Sequence, residues 1–195
     1  PDFKPYISMA LTPMVLTGRL IKKQKPDAKV VFIGPCAAKK LEASRKSVRS
    51  DVDFVLTFEE VMGMFEAKGI NLPQVEADAP FEEGTANGRG FAVSGGVANA
   101  VKQCIQKEHP DKEVLIDSAE GLKNCRTMLM MAKAGKRNGY LLEGMACPGG
   151  CVAGAGTLQP VIKSSALVKK YTNDAEKKLA FESEYLDNLD LLTKE

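Results

Sequence analysis

Histidine is almost absent from this chain of 195 residues, whose single histidine is His109. A structural zinc site normally uses two closely spaced cysteine or histidine pairs, so this scarcity argues against a zinc site. Cysteine is also sparse: five residues are an odd count and lack the density of a disulfide-stapled secreted domain. This cysteine usage predicts a reduced, cytoplasmic setting.

The chain also lacks a long apolar run, a secretory signal and a strong net charge. No stretch approaches the roughly 18 apolar residues of a membrane span, so we expect no membrane partner. A formal charge of +2 is too small to indicate binding to nucleic acid. The sequence begins with Pro1 rather than methionine, which predicts that it is a piece of a longer protein.

Short apolar runs alternate with helix-like segments, which predicts an α/β architecture with mainly parallel strands. The predicted strands are residues 29–33, 53–57, 113–117 and 140–143. The predicted helices are residues 12–24, 58–68, 97–108 and 118–134, with a capping box expected at Thr57 and Glu60. Residues 73–89 are expected to form a loop, and residues 161–195 a helical extension that packs on this domain or on a neighbour.

Two segments place cysteine beside glycine, proline and small residues, and each follows a predicted strand. They are residues 35–42 and 143–151. Ligands gather at the carboxyl ends of parallel strands, and thiolates are the usual ligands of iron–sulfur clusters. Soft sulfur donors also select zinc or cuprous ions. The two segments therefore predict a metal-cluster site.

The second segment contains Gly149 and Gly150, between Cys147 and Cys151, where glycine would let the backbone approach a cluster closely. Cys36 would bring a third thiolate from the first segment. Taken singly, each signal is weak: a cysteine after a strand is usually a buried loop thiol, and one Cys-x-x-x-Cys pair is poor evidence for a metal. The remaining cysteines are interpreted as structural thiols.

The residues nevertheless carry a specific resemblance. Residues 34–42 match the signature Met-Pro-Cys-x-x-Lys-x-x-Glu except at its first position, and residues 143–151 match Glu-x-Met-Ala-Cys-Pro-Gly-Gly-Cys without a gap. In these motifs the chain resembles the C-terminal domain of iron–iron (iron-only) hydrogenases, over roughly residues 1–160. That resemblance implies a two-lobed α/β domain with the cofactor cleft between lobes at residues 1–85 and 86–160, and residues 161–195 as an extension.

The same resemblance implies an H-cluster as the cofactor: a 4Fe-4S cubane joined through a cysteine to a two-iron subsite. By position, Cys36 and Cys147 would ligate the cubane, and Cys151 would bridge it to the two-iron subsite. Gly149 and Gly150 would line the cluster.

Further roles follow from the resemblance alone. Lys39 would hydrogen-bond a cyanide of the two-iron subsite, and Glu42 would steady Lys39. Met145 would pack against the two-iron unit. Ser8 falls at a serine of the family's proton relay, and Pro13 at a proline that lines the cyanide side.

The implied activity is the anaerobic, reversible interconversion of protons and electrons with dihydrogen. Ferredoxin or upstream ferredoxin-like domains would deliver electrons, and maturation factors would supply the two-iron subsite. The family's first cysteine signature, which provides the fourth cubane ligand, would lie upstream of Pro1. We therefore expect the chain by itself to be inactive and to hold an incomplete cofactor.

Two departures from the family pattern keep other functions open. Gly34 replaces a methionine, which predicts extra space beside the cofactor, and residues 154–160 are two residues longer than their counterpart. These departures resemble hydrogenase-like proteins that sense hydrogen or redox state. A degenerate iron–sulfur scaffold is the third alternative.

Overall fold

A computed structural model describes residues 3–76 and 84–193 of the chain. The strands are β1 (Val31–Gly34), β2 (Phe54–Thr57), β3 (Leu115–Glu120) and β4 (Tyr140–Met145). The α-helices are α1 (Pro13–Gln24), α2 (Ala38–Ala43), α3 (Phe58–Ala67), α4 (Ala86–Gly90), α5 (Gly96–Glu108), α6 (Leu122–Lys133), α7 (Val161–Asn173) and α8 (Asp190–Thr193). No helix within the described ranges is long and apolar enough to cross a membrane.

The first half of the fold is a βαβ unit in which α2 connects two parallel strands. Val31 of β1 lies opposite Phe54 of β2, and the pairing continues to the end of both strands. Met14, Val15 and Val52 form a buried cluster against this sheet. Burial of such apolar surface is the main force that holds a small sheet together.

The second half repeats this arrangement with α6 between β3 and β4. Leu115 lies opposite Tyr140, and the parallel pairing runs on to Glu120 opposite Met145. Arg137, in the turn before β4, donates a hydrogen bond of 2.6 Å to Asp117 of β3. The structure thus confirms the predicted α/β class with parallel sheets, as two separate two-stranded sheets.

The capping box at the start of α3 is confirmed. The Thr57 side chain accepts from the Glu60 N–H, and the Glu60 carboxylate accepts from the Thr57 N–H. This reciprocal pairing satisfies two backbone donors that the first turn of a helix leaves free.

Some predicted boundaries are wrong. The helix predicted from residue 118 begins at Leu122, because β3 stays paired with β4 as far as Glu120. Gly121, at φ +76°, then turns the chain into the helix. The short helix α4 lies inside the predicted loop, where the Thr85 side chain accepts from the Gly88 N–H and caps it. Residues 77–83 of that loop lie outside the described residues.

The extension beyond residue 160 packs on this same chain. Arg89 of α4 donates a hydrogen bond of 2.7 Å to the carbonyl of Tyr171 in α7, and its guanidinium lies 3.8 Å from the centre of the Tyr171 ring. Further along, the buried Asn87 side chain accepts a 2.8 Å hydrogen bond from the Ala180 N–H. These contacts favour docking on the domain itself over docking on a neighbour.

Candidate functional site

Both cysteine segments lie at carboxyl ends of parallel strands, as the sequence predicts. Cys36 follows β1 after one proline, and its carbonyl accepts a 3.2 Å hydrogen bond from the Lys39 N–H at the start of α2. Cys147 follows β4, and its carbonyl accepts a 3.0 Å hydrogen bond from the Gly150 N–H. Each motif is therefore a tight turn that leaves a sheet.

Backbone packing joins the two segments. The Gly156 N–H donates a 2.9 Å hydrogen bond to the carbonyl of Pro35, directly before Cys36. A side chain at Gly154 would be impossible without movement, because its Cβ would lie 2.3 Å from the same carbonyl oxygen. The glycines after Cys151 thus allow the second segment to lie directly on the first.

The Cys151 thiol is influenced by the other two thiols of the motifs. Partial burial raises the pKa of the Cys151 thiol, and the nearby Cys36 and Cys147 thiols raise it further, while the Lys39 ammonium acts in the opposite direction. Three thiolates so placed repel one another. A group that carries positive metal charge would let them ionise together.

A charged pair stands beside these thiols in the first segment. The Lys39 ammonium lies 2.5 Å from one carboxylate oxygen of Glu42, and both side chains are about four-fifths buried. The Thr12 hydroxyl donates a 2.5 Å hydrogen bond to the other oxygen. Burial works to raise the pKa of Glu42, but the hydrogen bonds from Lys39 and Thr12 outweigh it and hold that pKa below its ordinary value.

Two carboxylates form hydrogen bonds at the second segment, and one of them, Glu143, is the first residue of that segment. Glu143 accepts hydrogen bonds from the Gly95 N–H at 3.0 Å and the Ala98 N–H at 2.8 Å, and Glu120 accepts one from the Gly149 N–H at 3.0 Å. Sequence analysis gave neither acid a role. The available signal was helix α5, which begins at glycine with no acidic residue in its first turn and so needs a cap from elsewhere.

The remaining predicted site residues are Met145, Pro13 and Ser8, and the structure gives their local hydrogen bonds and positions. Met145 ends β4, and its carbonyl accepts from the Gly121 N–H at 2.8 Å. Pro13 is the first residue of α1, next to the Thr12 that bonds Glu42. Ser8 is exposed, and its hydroxyl accepts from the Ala10 N–H at 3.2 Å. Their roles toward a cofactor stay predictions.

The extra space expected at Gly34 is occupied. A Cβ at Gly34 would lie 2.7 Å from a ring carbon of Phe32, two residues earlier on the same face of β1. Gly34 itself is buried. The absent methionine is thus accompanied by an aromatic ring at this point, which the signature comparison did not reveal.

An apolar cavity of about 390 Å³ borders the site. Its lining residues include Pro35, Phe58, Ala92, Cys151 and Leu167. Part of its wall thus comes from α7, in the extension.

The described side chains do not form a ready site for a single metal ion. Within residues 3–76 and 84–193, no three cysteine, histidine or carboxylate side chains are close enough together to hold one metal ion. Around one tetrahedral zinc, thiolates at 2.3 Å bring their sulfurs to within about 4 Å of each other. Thiolates are the usual ligands of a multi-iron cluster, and Cys36, Cys147 and Cys151 are the residues that would supply them.

The fold is an α/β domain in which a cysteine turn leaves the carboxyl end of each parallel sheet. The chain belongs to the family described as iron only hydrogenase large subunit, C-terminal domain, whose sequence profile matches residues 1–155.

Similar proteins include hydrogenases and proteins of cluster assembly. The chain is 30% identical to the periplasmic [Fe] hydrogenase large subunit of Nitratidesulfovibrio vulgaris, over 83% of this chain and 48% of that protein. It is 31% identical to the NADP-reducing hydrogenase subunit HndD of Solidesulfovibrio fructosivorans, over 92% of this chain and 38% of that protein. It is 28% identical to the cytosolic iron-sulfur assembly component 3 of Mus musculus, over 85% and 45%.

A solved structure shares the fold. A variant of the FeFe-hydrogenase HydA1 from Chlamydomonas reinhardtii superposes with a TM-score of 0.69 at 20% identity, over 97% of this chain and 66% of that one. The chain thus spans about half the length or less of these curated relatives and about two thirds of this structural neighbour.

Proposed function

We propose that this chain is the cofactor-binding part of an iron–iron hydrogenase. The close backbone packing of the second cysteine segment on the first, through the Gly156 N–H and the Pro35 carbonyl, carries this proposal. Cys36 and Cys147 would hold the cubane, and Cys151 would join it to the two-iron subsite. When bound, the H-cluster supplies the reversible chemistry between dihydrogen, protons and electrons.

The residues around the thiols suit an anionic cofactor. The Lys39 ammonium, about four-fifths buried, would present positive charge to the cysteine segments, and its bond to Glu42 fixes the direction in which it points. Lys39 would donate to an anionic ligand of the two-iron subsite, while Met145 and the nearby apolar wall would exclude water. Ser8 would accept or release the proton, and Pro13 would border the cyanide side.

The relatives and the expected cofactor also indicate partners. Dihydrogen and protons would be the substrates, a ferredoxin or ferredoxin-like domain the electron partner, and maturation factors the source of the two-iron subsite. We propose two lobes, residues 1–85 and 86–160, built around the two βαβ units, with the cofactor between them.

The test is to mature the full-length protein with the two-iron subsite and measure its infrared spectrum and hydrogen evolution. We expect carbonyl and cyanide bands, and their loss in Cys151→Ser. Lys39→Ala should weaken loading of the two-iron subsite but leave the cubane in place. A protein that is fully loaded and still fails to evolve hydrogen would contradict the enzymatic proposal.

A second candidate is an iron–sulfur scaffold that holds a cluster without the two-iron subsite. Its support is the similarity to proteins named for cytosolic iron–sulfur assembly, including the mouse component. On this alternative, the same maturation would leave a cubane signal in electron paramagnetic resonance but no carbonyl or cyanide bands.

A further inference from the structure

Helix α5 begins in an unusual way. Its N-cap is Gly95, at φ +85°, which has no side chain to cap the helix, and no acidic residue lies in its first turn. The first N–H groups of a helix need acceptors and carry partial positive charge. The acceptor here is Glu143 of β4, which is remote in sequence and lies four residues before Cys147.

The Glu143 carboxylate uses both oxygens on this helix. One oxygen accepts from the Gly95 N–H, and the other accepts from the Ala98 N–H, the donor that a local cap would normally satisfy. The strand that leads into the second cysteine segment is thereby fixed to the start of α5. The charge of the carboxylate is offset by the positive end of the helix.

Glu120 makes a matching contact on the other side of the cysteine turn. It lies at the end of β3, opposite Met145, and its carboxylate accepts from the Gly149 N–H. The turn is tight, because a Cβ at Gly150 would lie 2.7 Å from the Ser94 nitrogen, just before α5. The Cys147–Cys151 turn is therefore held between two carboxylates and the start of a helix.

From these contacts we infer that Glu143 and Glu120 are positioning residues, which hold the Cys147–Cys151 turn in its ligand-ready shape before any cofactor binds. A cluster needs thiolates at fixed positions, and the supporting hydrogen bonds of a metal site tune its affinity and potential. The effect on a bound cluster rests on the proposed function, whereas the shape of the turn does not.

The first experiment uses the purified chain without metal. The rate of alkylation of each cysteine is measured by mass spectrometry in the wild type, Glu143→Ala and Glu120→Ala. Loss of a charge-assisted hydrogen bond should speed the reaction of the partly buried Cys147 about tenfold. Cys36, in the first segment, serves as the thiol outside the turn, and its rate should not change.

Glutamine variants separate positioning from general stability. Glu120 uses one carboxylate oxygen, so Glu120→Gln keeps the acceptor and should restore nearly the wild-type rate. Glu143 uses both, so Glu143→Gln should fall between the wild type and Glu143→Ala. Glu66→Gln, on α3, is the matched control. Unchanged alkylation of Cys147 in both alanine variants, or an equal rise at Cys36, would overturn the inference.

The second experiment uses the full-length protein reconstituted with iron and sulfide. Removal of a nearby negative charge should raise the reduction potential of the cluster in Glu143→Gln, with no shift in Glu66→Gln. An unshifted potential in Glu143→Gln contradicts the effect on the cluster. If no variant binds a cluster, the proposed function fails, and the alkylation rates still decide whether the two acids hold the turn.

Discussion

The two cysteine segments are built by different means, although both leave the end of a parallel strand. The first, after β1, runs into helix α2 and is held by side-chain bonds of Glu42 to Lys39 and Thr12. The second, after β4, has glycines at positive φ and is fixed by its backbone N–H groups. The first segment thus depends on side-chain charge, and the second on the absence of side chains.

This difference predicts where each segment is fragile. A glycine that lies against backbone tolerates no Cβ, so its substitution strains the fold. A partly buried ion pair tolerates isosteric change better, because the remaining groups can still find water or a neighbour. Substitutions should therefore cost more in the second segment than in the first.

The largest effect is expected for Gly150→Ala. Gly150 has φ +94° and ψ −158°, a region that is essentially restricted to glycine, and the new Cβ would lie 2.7 Å from the Ser94 nitrogen. Strain and overpacking together should lower the free energy of unfolding by about 2–5 kcal/mol. Urea unfolding measures the change.

The control for that substitution is Gly63→Ala. Gly63 lies within α3, where a Cβ would meet nothing within 4 Å. Alanine there should stabilise the chain by about 0.5–1 kcal/mol. Equal effects at the two glycines would show that the second segment does not depend on close backbone packing.

The next largest effect is expected for Gly34→Met, which restores the residue of the family signature. The new side chain would collide with the Phe32 ring, so we expect a loss of about 1–3 kcal/mol in the free energy of unfolding. Phe32→Leu should relieve part of this loss, which gives a favourable coupling of about 0.5–3 kcal/mol in a double-mutant cycle. Additive effects would mean that the ring does not fill the space beside Gly34.

Much of this architecture could be predicted from the sequence, because local patterns decide it. The capping box at Thr57 and Glu60 and the apolar strands are signals within a few residues of each other. The predicted start of α6 was wrong because the pairing of β3 with β4 decides where the helix begins. The partner strand β4 lies more than twenty residues away in the sequence.

The contacts of the candidate site likewise fall into those that the local sequence predicts and those that it does not. The pairing of Lys39 with Glu42 follows from their three-residue spacing on one helix. The bond from Thr12 to Glu42, the ring of Phe32 against Gly34, and the cap that Glu143 gives α5 depend on how distant or adjacent side chains pack in three dimensions. No local pattern contains that information.

A smaller effect is expected for Glu42→Gln in the first segment. The substitution removes the charge that Lys39 and Thr12 stabilise, so the free energy of unfolding should fall by about 1–2 kcal/mol. Glu184→Gln is the matched control: it removes an exposed partner of Lys177 and should leave the free energy of unfolding nearly unchanged. Equal costs for the two pairs would show that the first segment gains nothing from partial burial.

The smallest effect is the pH dependence of that same contribution. The pKa of Glu42 is lowered from its ordinary value of 4.5, so the folded chain keeps this carboxyl ionised at pH values where the unfolded chain has begun to protonate it. Its stabilisation is therefore complete above pH 4.5 and is lost as the pH falls through the lower folded value. Asp53, whose pKa is lowered by Lys22 and the Val30 N–H, adds a loss of the same sign. The difference in stability between wild type and Glu42→Gln cancels the Asp53 contribution and should shrink as the pH falls below 4.5. A difference that stays constant down to acid unfolding would mean that the ion pair does not hold the first segment.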